Sequence, residues 1–242
     1  MFAGPNGSGK STIKAQVEKN FPRIFGIYIN PDEIGKQIQE SGKLSFTKFR
    51  IKVTQDKVFD SLRGSKLLAR YRLLDEIDNL RFSSNSLFFP RRELIPYFTS
   101  PIADFLHDEL IEAAKTFTLE TVMSHEHKIE LLRNARAAGF RTYLYYVATE
   151  DPEINIARVK TRVDEGGHGV LSEKVKTRYR RSLNKLLDAI GESDRAYMFD
   201  NSGKDVVWFA EITDGTNVEF KGTSVPRWFE KYVLKEGEAK SA

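Results

Sequence analysis

Gly4, Gly9, Lys10 and Ser11 stand at the spacing G-x-x-x-x-G-K-S in the run Gly4-Pro5-Asn6-Gly7-Ser8-Gly9-Lys10-Ser11. Glycines let such a run close into a nest of backbone N–H donors, and a helix starting at its end adds a positive terminus, so the pattern suits a polyphosphate. Lys10 would neutralise β- and γ-phosphate oxygens, and Ser11 would offer its hydroxyl to a Mg²⁺ bridging them. Gly4, Asn6, Gly7, Ser8, Gly9 and Thr12 complete the expected contacts to ATP. An accidental glycine-rich turn is the bland alternative, and the helix and alternating elements that follow argue against it. The motif leaves the acceptor open, because kinases, motors and switches share it.

Further along the chain, several side chains are of types that transfer chemistry needs. Asp32 follows Pro31 after a short apolar stretch; a carboxylate there can orient and deprotonate an alcohol, or simply serve a turn. Glu120 ends a stretch that otherwise reads as buried, so it must be paired, hydrated or functional, unless it is a helix-entry carboxylate. Arg158 and Arg162 lie four apart on one helix, offset from the apolar positions Ile156, Val159 and Val163, and can reach one anionic target or form a solvated face with Glu165. Gly166-Gly167-His168-Gly169 suits a closing lid, in which His168 would meet phosphate or be incidental. Arg178 would extend the arginine cluster, while Tyr179 belongs to the apolar series Val175, Tyr179, Leu183, Leu186 and Ile190.

These residues need elements to hold them. A helix runs from Thr12 to about Asn20, and Phe25 to Asn30 reads as a buried strand ended by Pro31 and Asp32. A second helix is expected from Pro101, with that proline in its first turn, leading into the strand Thr116 to Glu120. Ser124 is a candidate cap for a helix closed by Gly139, and Thr142 to Val147 is a strand rich in β-favouring residues. Asp151 and Ser172 cap two further helices, the second ending at Gly191, and Arg195 to Phe199 is another strand. Strand and helix in alternation imply a parallel sheet with crossover helices. The expected fold is a three-layer α/β P-loop domain over residues 1–242, with a mainly helical insertion at 41–96, a lid-like region at 153–190 and a terminal hairpin from Val206 to Phe220. Only Met1 to Ala3 precede the loop, which places the functional N-terminus a few residues upstream.

Composition narrows the classes. The 242 residues include no cysteine, which removes disulfides, thiolate metal sites and a cysteine nucleophile and fits a cytoplasmic enzyme. No apolar stretch is long enough to cross a membrane, and no secretory signal opens the chain. A net charge of +4 admits any anionic partner. Without a Lys/Arg block or basic-aromatic motif, nucleic acid is the minority option.

Taken in order, Gly4 to Thr12, Tyr28-Ile29-Asn30-Pro31-Asp32, Phe117-Thr118-Leu119-Glu120-Thr121, Arg158 to His168, Arg178-Tyr179 and Asp200-Asn201-Ser202 resemble the zeta toxin family of P-loop kinases. The resemblance spans residues 1 to about 202, outside the insertion and hairpin. It implies ATP- and Mg²⁺-dependent phosphorylation of a UDP-sugar such as UDP-N-acetylglucosamine, with Asp32 as the base. It places Glu120 and Thr121 in the acceptor pocket, Asn201 near the nucleotide base, and an antitoxin-like inhibitor over the ATP site. Val122 departs from the family, which often has a hydroxyl residue there. A slow nucleotide-dependent switch and a polynucleotide kinase are the competing readings.

Overall fold

A computed structural model describes residues 1–22, 24–166 and 169–237. In chain order the elements are β1 (Phe2–Ala3), α1 (Lys10–Asn20), β2 (Ile27–Ile29), α2 (Pro31–Ser41), β3 (Lys43–Ser45), α3 (Gln55–Arg63), α4 (Lys66–Arg70), β4 (Arg81–Ser83), β5 (Ser86–Phe88) and α5 (Ile95–Glu112). Then come β6 (Phe117–Thr121), α6 (His127–Ala137), β7 (Tyr143–Ala148), α7 (Pro152–Asp164), α8 (Ser172–Asn184), α9 (Leu186–Gly191), β8 (Arg195–Asp200), β9 (Val207–Thr213), β10 (Asn217–Phe220) and α10 (Arg227–Phe229). The chain divides into two compact units, residues 1–24 with 120–242, and residues 25–119.

In the first unit β1 pairs in parallel with β7 and with the end of β6, β7 pairs in parallel with β8, and β9 and β10 close the edge antiparallel. In the second, β2 pairs in parallel with the start of β6. Hydrogen-bonding order therefore reads β10-β9-β8-β7-β1-β6-β2, a mostly parallel α/β sheet with the expected terminal hairpin. Parallel strands buried on both faces call for apolar and β-favouring residues, and β7 meets that demand with Leu144, Tyr146, Val147 and Ala148 all buried. Short as it is, β1 is central, with Phe2 and Ala3 fully buried and the Phe2 ring stacked on Tyr145 at 4.6 Å.

The second unit has its own core, in which Ile34 and Ile38 of α2 and Phe98, Ile102 and Leu106 of α5 pack with Phe46, Leu62 and Leu87. Residues 41–96 carry the helices α3 and α4 and short 3-10 turns, together with a small antiparallel sheet of order β3-β5-β4. Its hairpin turns at Ser84 and Asn85, both at positive φ, and Asn85 is held there by its side chain, which donates to the Ile51 carbonyl at 2.8 Å. The helix expected from Pro101 begins earlier, at Ile95, with Pro96 in the first turn and Pro101 inside. Pro101 removes the N–H that would meet the Tyr97 carbonyl, and the burial of Phe98, Ile102 and Phe105 outweighs that loss. Three other boundaries also differ. The helix assigned to a Ser124 cap starts at His127, Ser172 is the first residue of α8 rather than its cap, and the single helix to Gly191 breaks at Lys185 into α8 and α9.

Asp194 ties the start of β8 to β7. Its carboxylate accepts from the Thr142 N–H at 2.6 Å and the Thr142 hydroxyl at 3.0 Å. The backbone hydrogen bond from Thr142 is the main reason the carboxyl titrates below the ordinary 3.8, against a smaller opposing cost of burial. A depressed folded-state value means that this stabilisation is complete above the unfolded value and is lost as pH falls through the folded one. Asp194→Asn should therefore cost about 1 kcal/mol near neutrality, a charged hydrogen bond discounted for partial exposure. Denaturant melts at pH 7 and at about pH 2.5 check this: the difference from wild type should shrink at the lower pH.

Candidate functional site: the phosphate loop

β1 delivers the chain into the loop, and α1 leaves it. Gly9 occupies the N-cap of α1 at φ 99°, and its carbonyl accepts from the Thr12 and Ile13 N–H groups at 3.1 Å. No side chain caps α1, so its positive end is left to the loop. Three loop glycines, Gly4, Gly7 and Gly9, are required by close approach as well as by their positive φ; a Cβ on Gly4 would lie 2.0 Å from the Val147 carbonyl oxygen. A Cβ on Gly7 would lie 2.6 Å from the Asn155 carbonyl oxygen, and one on Gly9 would lie 2.3 Å from the Asn201 Nδ2.

Lys10 is buried and its ammonium donates to the Gly4 and Pro5 carbonyls at 2.9 and 2.8 Å, so it spans the loop. Ser11 is exposed, and its hydroxyl donates to Glu120 Oε1 at 2.9 Å. The end of β6 thus puts a carboxylate beside the hydroxyl assigned to Mg²⁺. Among the described residues no group of three or more His, Asp or Glu side chains could hold a metal. A Ser hydroxyl beside one carboxylate still fits Mg²⁺, which takes most of its ligands from water and substrate phosphate. Thr121, next to Glu120, accepts the Met123 N–H on Oγ1 at 3.0 Å and closes the turn after β6.

Three long-range contacts converge on the loop. Asn155 of α7 donates from Nδ2 to the Asn6 carbonyl at 2.7 Å, while its Oδ1 accepts from the Thr149 hydroxyl. Asn201, just past β8, donates from Nδ2 to the Ser8 carbonyl at 2.8 Å. Arg178 of α8 reaches Asn6 Oδ1 at 3.4 Å. Arg158 backs this arrangement from behind, donating to the Asn201 and Gly203 carbonyls at 2.8 and 3.4 Å. Arg162 lies in the last turn of α7 and is exposed. The apolar face read along α7 needs correction: Val159 is buried, but Val163 is 42% exposed, and the second buried position is Asn155.

His125, in the segment between β6 and α6, has its pKa lowered, first by burial and then by Arg181, Arg178 and Lys128. Tyr179 is core, as expected, and donates to the Thr149 carbonyl at 2.5 Å; burial raises its pKa and keeps the donor protonated. Asp200 accepts from the Ser202 hydroxyl at 2.8 Å and from Trp228 Nε1 at 2.9 Å, which fixes the turn carrying Asn201.

Asp32 belongs to the second unit. It is exposed in the first turn of α2, directly after β2, and its N–H donates to Asn30 Oδ1 at 2.9 Å, so Asn30 rather than Asp32 caps the helix. His168 lies outside the described residues. Asn155 is the residue that motif reasoning passes over. Its signal was present, since an amide four positions before Val159 falls on the buried side of α7 and must find a partner there.

No family model matches the chain. An uncharacterised protein of Haemophilus influenzae is 38% identical over 63 residues, which is 26% of this chain and 45% of that protein. A chain in the crystal structure of AvrRxo1-ORF1:-ORF2 with ATP superposes at a TM-score of 0.57 and 15% identity, over 96% of this chain and 62% of that one. A chain of the PezAT chromosomal toxin-antitoxin system of Streptococcus pneumoniae gives a TM-score of 0.48 at 14% identity, over 98% of this chain and 82% of that one. This chain therefore spans less than two thirds of the AvrRxo1 chain and under half of the Haemophilus protein. In topology, the chain shares the mostly parallel α/β fold of the AvrRxo1 chain.

Proposed function

We propose that the chain is a phosphotransferase that moves the γ-phosphate of ATP to a hydroxyl of a small metabolite, a UDP-sugar such as UDP-N-acetylglucosamine being the first candidate. The observation that carries this reading is the loop itself. Its glycines close against buried asparagines, its lysine lies along the loop backbone, and its serine touches Glu120 at 2.9 Å. The ATP in the AvrRxo1-ORF1:-ORF2 crystal structure supports the choice of nucleotide.

In this reading Lys10 leaves the Gly4 and Pro5 carbonyls for the β- and γ-phosphates, with Arg178 and Arg162 adding positive charge where the transferring group develops it. Mg²⁺ would be held at Ser11 with Glu120 beside it, and supplies charge neutralisation at the phosphates. Asp32 takes the proton of the acceptor hydroxyl, and Glu120 and Thr121 belong to the acceptor's side of the site. A second protein chain that obstructs the nucleotide is the expected regulator, by extension from the two-component AvrRxo1 complex.

Incubation with ATP, Mg²⁺ and UDP-N-acetylglucosamine, followed by mass spectrometry, tests the acceptor. A product heavier by one phosphoryl group is the expected result. A preparation that binds ATP and leaves the sugar unchanged would rule out that acceptor.

A further inference from the structure

Two asparagines far apart in sequence hold alternate peptide planes of the phosphate loop. Asn155 is fully buried and donates to the Asn6 carbonyl at 2.7 Å; Asn201 is 9% exposed and donates to the Ser8 carbonyl at 2.8 Å. In a planar trans peptide the N–H of the next residue points opposite to the carbonyl. Pinning the Asn6 and Ser8 carbonyls therefore sets the Gly7 and Gly9 N–H groups to the side away from the two carboxamides. The glycines and asparagines are matched. Gly7 admits the backbone of Asn155, and Gly9 admits the carboxamide of Asn201, since a Cβ at either would collide with its partner.

Each carboxamide is itself oriented. The Thr149 hydroxyl donates to Asn155 Oδ1, which leaves the NH₂ facing the loop, and Thr149 is in turn fixed by Tyr179 on its carbonyl. Asn201 is held through its backbone, by its N–H to the Ala148 carbonyl at 2.8 Å and by Arg158 on its own carbonyl at 2.8 Å. These bonds tie β7, α7 and β8 to the two peptides a phosphate would meet.

We propose that Asn155 and Asn201 are positioning residues that pre-orient the Gly7 and Gly9 N–H groups for the β-phosphate of a nucleotide. This rests on the reading of the loop as a nucleotide site. It gives Arg158 a matching role as the brace of Asn201. An unbraced loop could turn a carbonyl toward the anion, and that would weaken binding of a β-phosphate while leaving a ligand without one largely unaffected.

Asn155→Leu and Asn201→Leu keep the approximate volume and remove the donor without adding a charge beside the loop. Titration of wild type and both variants with ADP and with AMP, followed by NMR, reads the β-phosphate contribution directly. The expected result is an ADP affinity about tenfold weaker in each variant, from a buried carbonyl left unsatisfied, with AMP affinity changed less than about twofold. Equal losses for ADP and AMP would reduce the asparagines to structural residues and overturn the inference. An unchanged ADP affinity would overturn it too. If wild type binds no ADP, the nucleotide reading itself falls. Should a variant not fold, the side-chain amide signals of Asn155 and Asn201 in wild type decide the matter. Slow solvent exchange and a shift on adding ADP support the proposal, and rapid exchange with no response overturns it.

Discussion

Lys10→Ala should lower phosphoryl transfer about 10³-fold, the loss typical of removing one preorganised group that faces developing charge. ATP affinity should fall less, by about tenfold, because part of the lysine's interaction exists only in the transition state. Steady-state kinetics with calorimetric ATP binding separates the two. The structure adds a second consequence. Because Nζ bonds the Gly4 and Pro5 carbonyls at 2.9 and 2.8 Å, the alanine variant also loses an internal clasp and should be slightly less stable without nucleotide. Lys10→Arg keeps the charge but replaces a compact ammonium with a planar fork, and should recover little activity. Full activity of Lys10→Ala would mean that the loop is not the phosphate cradle.

Asp32→Asn should reduce kcat by about 10²- to 10⁴-fold, the range for a positioned general base, with ATP affinity within about twofold of wild type. Fold stability should change by less than about 1 kcal/mol, since the substitution removes one charge from a helix start. Asn30 already caps α2, and the Asp32 side chain is exposed. This combination separates the two roles open to Asp32. A helix-start aspartate would show the small stability change with activity intact, whereas a base would show the kinetic loss. Single-turnover measurements at saturating ATP report the difference at the chemical step.

What could be read from the chain depended on how local each signal was. The phosphate loop lies within eight consecutive residues, and β7 announces itself by Thr142 to Val147, so both were legible. The hairpin of β9 and β10 was equally plain, because Asp214 and Gly215 interrupt two strand-like runs. The sheet β3-β5-β4 was not legible, for strands of three residues are too short to establish alternation. Only its turn, Ser83-Ser84-Asn85-Ser86, had a local signature. α5 misled because proline is usually read as a helix start, and the apolar side chains that carry this helix through Pro101 act through tertiary packing.

The site divided in the same way. Lys10 and Ser11 could be named as candidates from the motif alone. Arg158 and Arg162 were expected to share an anionic target; the bond from Arg158 to the Asn201 carbonyl, 43 residues away, is a contact that spacing along one helix could not reveal. Asn155 and Asn201 are single polar residues without a motif. Their meaning comes from the crossover connections that carry α7 and the end of β8 to the loop at residues 6–8.

A ³¹P NMR time course of the protein with ATP, Mg²⁺ and a mixture of hydroxyl-bearing nucleotide sugars tests the central claim most directly. The expected record is ADP appearing together with an equal amount of a new phosphomonoester, absent when Lys10→Ala is used. Intact ATP, or ADP accompanied only by inorganic phosphate, would contradict a phosphotransferase, the latter outcome identifying a hydrolytic switch instead.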